Sequence, residues 1–148
     1  MKLLIINGPN LNRLGERDPA IYGTMTLAEL EQRIGARAAE LGAETSYFQS
    51  NHEGVLVDWL QANGPSATGI VINPAALTTY GLSLRDCLLD MGVPTVEVHL
   101  SHIHAREPWR RESVIAPVCV AQVTGMGWRG YLAAVDYLVD ITNKEGAA

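Results

Sequence analysis

The chain lacks most of what a stapled, membrane-anchored or nucleic-acid-binding protein requires. Two cysteines stand among 148 residues. Cys87 and Cys119 lie far apart, without zinc-like or CxxC spacing, each in an apolar stretch, and read as reduced core residues. No run of apolar residues approaches the length of a membrane span. The stretch Leu3–Ile6 that follows Met1 and Lys2 is too short for a signal peptide and has no small-residue cleavage site. The expected location is therefore the cytoplasm. The net charge of −5 argues against a general nucleic-acid binder, which needs a basic surface to neutralise phosphates. It leaves room for a local basic pocket that takes a small anion. The only lysines are Lys2 and Lys144, so no Schiff-base lysine is expected.

What is present is an ordinary globular balance, 47% hydrophobic and 18% charged. A chain of this length buries roughly 70% of its unfolded surface. One domain over 1–148 is expected, with a loose tail over 144–148. Strand and helix signals alternate. Leu3–Ile6, Glu44–Gln49, Gly69–Ile72, Thr95–Val98 and Val118–Val123 read as strands. Thr26–Leu41, Val55–Asn63, Leu82–Met91 and Trp128–Thr142 read as helices. The first helix opens on a capping box, Thr26 with Glu29, and closes at Gly42. Short strands separated by helices predict a parallel sheet covered on both faces. The expected architecture is α/β, a flavodoxin-like three-layer sandwich with a five-stranded parallel sheet.

Polar clusters fall after four of these strands: Asn7–Tyr22, Gln49–Glu53, Asn73–Thr79 and His99–Ser101. Ligands of open parallel sheets bind beyond the carboxyl ends of the strands, so these clusters predict one shared site. The first connection, NGPNLNRLGERDPAIYG, is long and is expected to be too broken by glycine and proline for a helix. It carries Asn10, Asn12, Arg13, Arg17 and Tyr22. A tyrosine beside an arginine is a candidate base, because a fixed cation favours the phenolate. Taken alone, such a pair serves equally well as a loop anchor. In EVHLSHIHARE, Glu97 and His99 are two apart on a strand and point to one side. A carboxylate there fixes the histidine tautomer and favours the imidazolium, which suits a general acid. The competing reading is a buried structural histidine. His99, His102 and His104 could suggest a metal, but no further ligands complete a site.

Together NGPNLNRLGERDPAIYG, QSNHEG, INPAALT, SLRD and EVHLSHIHAREPWRRES resemble the type II 3-dehydroquinate dehydratases, in the family's order and from Leu3 to about Tyr137. The resemblance implies a flavodoxin-like fold, a dodecamer built from trimers, and no metal or cofactor. It implies reversible dehydration of 3-dehydroquinate to 3-dehydroshikimate through an enolate, in aromatic biosynthesis or in quinate breakdown. By resemblance Tyr22 is the base, Arg17 polarises it, and Asn10 helps hold a water on the enolate oxygen. His99 protonates the leaving hydroxyl and Glu97 orients it. Asn73 and the backbone of Leu100 and Ser101 hold the substrate carboxylate. Arg110 and Asp86 belong to the ring-hydroxyl end, Asp86 reaching in from a neighbouring subunit.

One departure concerns Thr79, where the family usually carries a histidine that contacts a ring hydroxyl. Threonine is shorter and never charged, and Tyr80 is a candidate substitute. A second lies at Arg111 and Glu112, expected on a helix surface. The alternatives to the enzyme are a flavodoxin-like ligand-binding module, which would use the first loop to cradle a phosphate, and an inactive assembly partner.

Overall fold

The computed structural model describes residues 1–146. Five strands form one sheet: β1 (Lys2–Asn7), β2 (Glu44–Gln49), β3 (Gly69–Asn73), β4 (Thr95–His99) and β5 (Ala121–Thr124). Every pairing is parallel and the order is β2-β1-β3-β4-β5, the flavodoxin-like order. Five α-helices accompany them: α1 (Pro19–Tyr22), α2 (Leu27–Glu40), α3 (Glu53–Asn63), α4 (Leu82–Met91) and α5 (Arg129–Gly146).

The continuous apolar runs of β1 and β3 follow from burial on both faces. Leu3, Ile5 and Val71 point to the side packed by α2 and α5, together with Ile34, Val135 and Leu138. Leu4, Ile6, Ile70 and Ile72 point to the other side, against Leu56, Leu60, Leu84 and Leu88 of α3 and α4. The same alternation decides where the polar residues at the strand ends go. Asn7 and Asn73 continue the α5 side, whereas Glu97 and His99 share the opposite side from Val96 and Val98.

Helix α2 starts as expected. The Thr26 side chain accepts from the Glu29 amide at 3.2 Å, and Glu29 returns the bond to the Thr26 N–H at 2.8 Å. Other boundaries differ. The apolar stretch at Val118 does not begin β5, because Ala116–Val118 form a short 3₁₀ turn around Pro117, a residue with no N–H to give a ladder. The last helix runs on to Gly146, so Lys144 is helical and pairs with Asp140 at 2.7 Å. Of the tail expected to be loose, 147–148 lie outside the described residues. The first loop is not devoid of helix. Leu11–Arg13 form a 3₁₀ turn, and α1 occupies Pro19–Tyr22. Asp18 caps α1 by accepting from the Ala20 N–H, with Pro19 in the first position, a pairing that favours helix entry. Gly23 ends it at φ +76°.

β1 leads to one side of the sheet and β3 to the other, so the loops after them part at the switch point between the two strands. They are locked together at their roots. The Gly8 N–H donates to the Asn73 carbonyl at 2.8 Å, and a side chain at Gly8 would lie 2.6 Å from the Pro74 carbonyl oxygen.

Among the described residues no helix is long and apolar enough to cross a membrane.

Candidate active site

A cavity lies at the carboxyl end of the sheet, over the switch point. Asn10, Arg17, Tyr22, Asn73, Thr79, His99, Leu100, Ser101 and Arg110 all line it. These residues come from the loops after β1, β3 and β4, as three of the polar clusters predict; the fourth, Gln49–Glu53 after β2, does not line the cavity. The cavity is about 150 Å³, room for one small ring.

The most densely hydrogen-bonded part is beneath His99. Its Nε2 lies 2.7 Å from Glu97 Oε1, and both side chains are nearly or wholly inaccessible. A buried carboxylate loses several kcal/mol of hydration unless donors replace the water. Here they do. Besides His99, Glu97 accepts from Thr78, from Ser113 at 2.8 Å and from Gln122 at 3.1 Å. Ser113 is itself fixed, accepting from the N–H groups of Ile115 and Ala116 at 3.1 and 2.8 Å. Burial pushes the Glu97 carboxyl up, but the bonds from His99, Thr78 and Ser113 and the charge of His99 outweigh it. The carboxyl is held below its ordinary range. Bonding through Nε2 leaves Nδ1 of His99 as the ring nitrogen for a ligand.

Facing this is Tyr22, at the last position of α1 and half-buried. The Arg17 guanidinium stacks over its ring, 3.9 Å from the centroid. The hydrogen bond to the phenol oxygen comes instead from Arg106, whose Nη2 donates at 3.1 Å while Nη1 donates to Ser101 Oγ at 3.1 Å. Arg106 thus joins the cavity lining beside the expected Arg110, four positions on in the same segment. Arg110 pairs with Glu107 and lies 4.0 Å over the Trp109 ring at the cavity rim.

The first loop is buttressed by the connection after β2. Asn51 Oδ1 accepts from the Asn10 N–H at 2.9 Å, and Gln49 donates to the Gly8 carbonyl at 3.1 Å. Asn10 itself sits at φ +70°, a conformation that asparagine tolerates better than most residues.

Some expected residues are not brought to the cavity. Asp86 is on α4, exposed, and paired with Arg85 at 3.1 Å. Tyr80 is exposed and outside the lining, so it does not stand in for Thr79. The Thr79 hydroxyl donates to the Ala76 carbonyl at 3.0 Å. Arg111 and Glu112 are exposed on irregular chain rather than on a helix. Among the described residues no group of three or more His, Cys, Asp or Glu side chains could hold a metal ion.

Comparison with known proteins gives a consistent picture. The chain matches the family described as dehydroquinase class II over residues 1–139. It is 55% identical over 139 residues to the 3-dehydroquinate dehydratase of Roseiflexus castenholzii, covering 94% of this chain and 88% of that one. It is 47% identical over 146 residues to catabolic 3-dehydroquinase 1 of Aspergillus fumigatus, covering 99% and 97%. The crystal structure of the type II dehydroquinase from Butyrivibrio crossotus superposes with a TM-score of 0.91 at 42% identity, over 93% of this chain and 97% of that one.

Proposed function

The chain belongs to the class II dehydroquinase family, and from that membership we propose that it dehydrates 3-dehydroquinate to 3-dehydroshikimate. The observation that carries the reading is that Tyr22 and His99 line one cavity, each backed by a group of opposite character. Tyr22 has the Arg106 guanidinium on its oxygen and Arg17 over its ring. His99 has the buried Glu97 carboxylate. That arrangement provides a base and an acid with separate environments.

In this scheme Tyr22 takes the proton from the carbon beside the ketone, and an enolate forms. Preplaced donors stabilise that charge, with Asn10 holding a water at the enolate oxygen. Arg106 and Arg17 face the negative charge of the phenolate form of Tyr22, which is neutralised when the oxygen takes the proton. His99 gives its proton to the departing hydroxyl, which leaves as water while the enolate closes to the conjugated enone. Glu97 fixes the ring of His99 and balances its charge before transfer. Asn73 and the backbone at Leu100 and Ser101 take the carboxylate. Arg110 and Thr79 take the ring-hydroxyl end. Asp86, exposed on its own chain, joins that end from a neighbouring subunit of a homo-oligomer, a dodecamer of trimers. No step needs a metal, a cofactor or an imine-forming lysine.

The test is direct. The purified protein is mixed with 3-dehydroquinate and the ultraviolet absorbance of the conjugated enone is followed. Turnover is expected without added metal and in the presence of chelator or borohydride, and Tyr22→Phe should abolish it with the fold retained. Absence of turnover in the unmodified protein overturns the assignment, and near-normal activity of Tyr22→Phe removes Tyr22 as the base.

A further inference from the structure

β1 and β3 end on a register pair, Asn7 and Asn73, both buried and both on the side covered by α5. Between them stands Tyr131 of α5, wholly inaccessible. Its hydroxyl donates to Asn7 Oδ1 at 2.6 Å and accepts from Asn73 Nδ2 at 2.9 Å. On its other side, Asn73 Oδ1 accepts from the Ala75 N–H at 3.1 Å. These two contacts settle which way the Asn73 amide is turned. A reversed amide would set its NH₂ group against the Ala75 N–H, donor to donor. In the observed orientation one amide hydrogen goes to Tyr131 and the second is left for the cavity that Asn73 lines.

The relay has a cost in stability. Asn7 Nδ2 is buried and has no hydrogen-bond partner among the described residues. An unpaired buried donor is unfavourable, and an apolar set of the same shape would be at least as stable. Burial pushes the Tyr131 phenol above its ordinary value, so it stays protonated and keeps both its bonds through the neutral range. A core tyrosine with two polar partners, one of them incompletely satisfied, therefore calls for a use other than packing.

We propose that Tyr131 is a positioning residue, which holds the Asn73 amide with its N–H turned into the cavity to meet the carboxylate of the ligand. The inference rests on the reading of Asn73 as a carboxylate ligand. Tyr131 touches no ligand itself. It acts from α5, on the same face of the sheet, through one hydrogen bond.

The experiment uses the full chain with Tyr131→Phe, Asn73→Ala, the two combined, and the paired replacement Asn7→Val with Tyr131→Phe. The paired variant removes the unpaired donor and keeps the core apolar, so it folds even where Tyr131→Phe alone does not. Steady-state kinetics with 3-dehydroquinate are measured, together with inhibition by 3-dehydroshikimate and by its methyl ester. Tyr131→Phe and the paired variant are expected to raise KM about tenfold with kcat within about twofold. Both should bind the acid more weakly while binding the ester as the unmodified protein does. The combined variant should be no worse than Asn73→Ala, as for two residues acting through one contact. A structural role alone would lower the melting temperature without changing the preference for acid over ester. An unchanged KM in the paired variant beside a raised KM in Asn73→Ala overturns the relay and leaves Asn73 as a ligand. An unchanged KM in Asn73→Ala overturns the reading on which the relay rests.

Discussion

Arg106 and Tyr22, 84 residues apart in sequence, meet at the mouth of the cavity, where Nη2 of the arginine donates to the phenol oxygen at 3.1 Å. The same guanidinium reaches Ser101, so its plane is fixed by two bonds. A rigid fork of this kind is something lysine cannot reproduce.

Arg106→Ala is therefore expected to lower kcat about 100-fold, the low end of what a positioned general base contributes, because the base loses the donor on its oxygen. Arg106→Lys should recover only a small part of it. Steady-state assays of both variants check this, and a lysine variant with full activity would reduce Arg106 to a general positive charge.

Glu97 makes stability depend on pH with a definite sign. Its carboxyl is held below the ordinary value of 4.5 in the folded chain, so its contribution is fully present above that value and is lost as pH falls through the lower folded value. Glu97→Gln should cost about 3 kcal/mol at neutral pH, because donors that met a carboxylate now face an amide. The gap should narrow in acid. Urea midpoints at about pH 7 and about pH 3.5 test this; a gap that stays constant would mean that Glu97 is not charged in the folded protein.

Ala75 occupies the left-handed region at φ +51°, which penalises a side chain by about 1 kcal/mol. Ala75→Gly should raise the melting temperature by about 3 °C, the shift that such a gain produces in a chain of this size. Calorimetry decides the matter.

The Thr79 hydroxyl gives its hydrogen to the Ala76 carbonyl, so it offers a ligand hydroxyl only lone pairs. Thr79→His should lower KM for 3-dehydroquinate by about threefold, one modest hydrogen bond gained. An unchanged or higher KM would argue that the ring end is held in another way.

The sheet was legible because β1 and β3 are buried on both faces and their composition says so. The contact between Glu97 and His99 was legible for a related reason: residues two apart on a strand face the same side. β5 was misplaced at its start because Val118, Cys119 and Val120 are apolar for packing, not for pairing, and Pro117 turns the chain there. The helix α1 was overlooked although Asp18 and Pro19 are an entry signal; the surrounding glycines masked it. Arg106 could not be read at all as the partner of Tyr22, since nothing local relates two irregular segments so far apart. Tyr131 was hidden differently, as one more aromatic on an amphipathic helix. Its polar contacts exist only once β1 and β3 end side by side beneath it.

The clasp between Gly8 and Pro74 bears on how this pocket can be re-engineered. With no space for even a methyl group there, the segments that follow β1 and β3 behave as one cassette. A chimera that borrows the first segment from a relative needs the matching second segment as well. Crossover points for such grafts belong in the outer helices, and libraries that diversify the pocket should leave these two positions untouched.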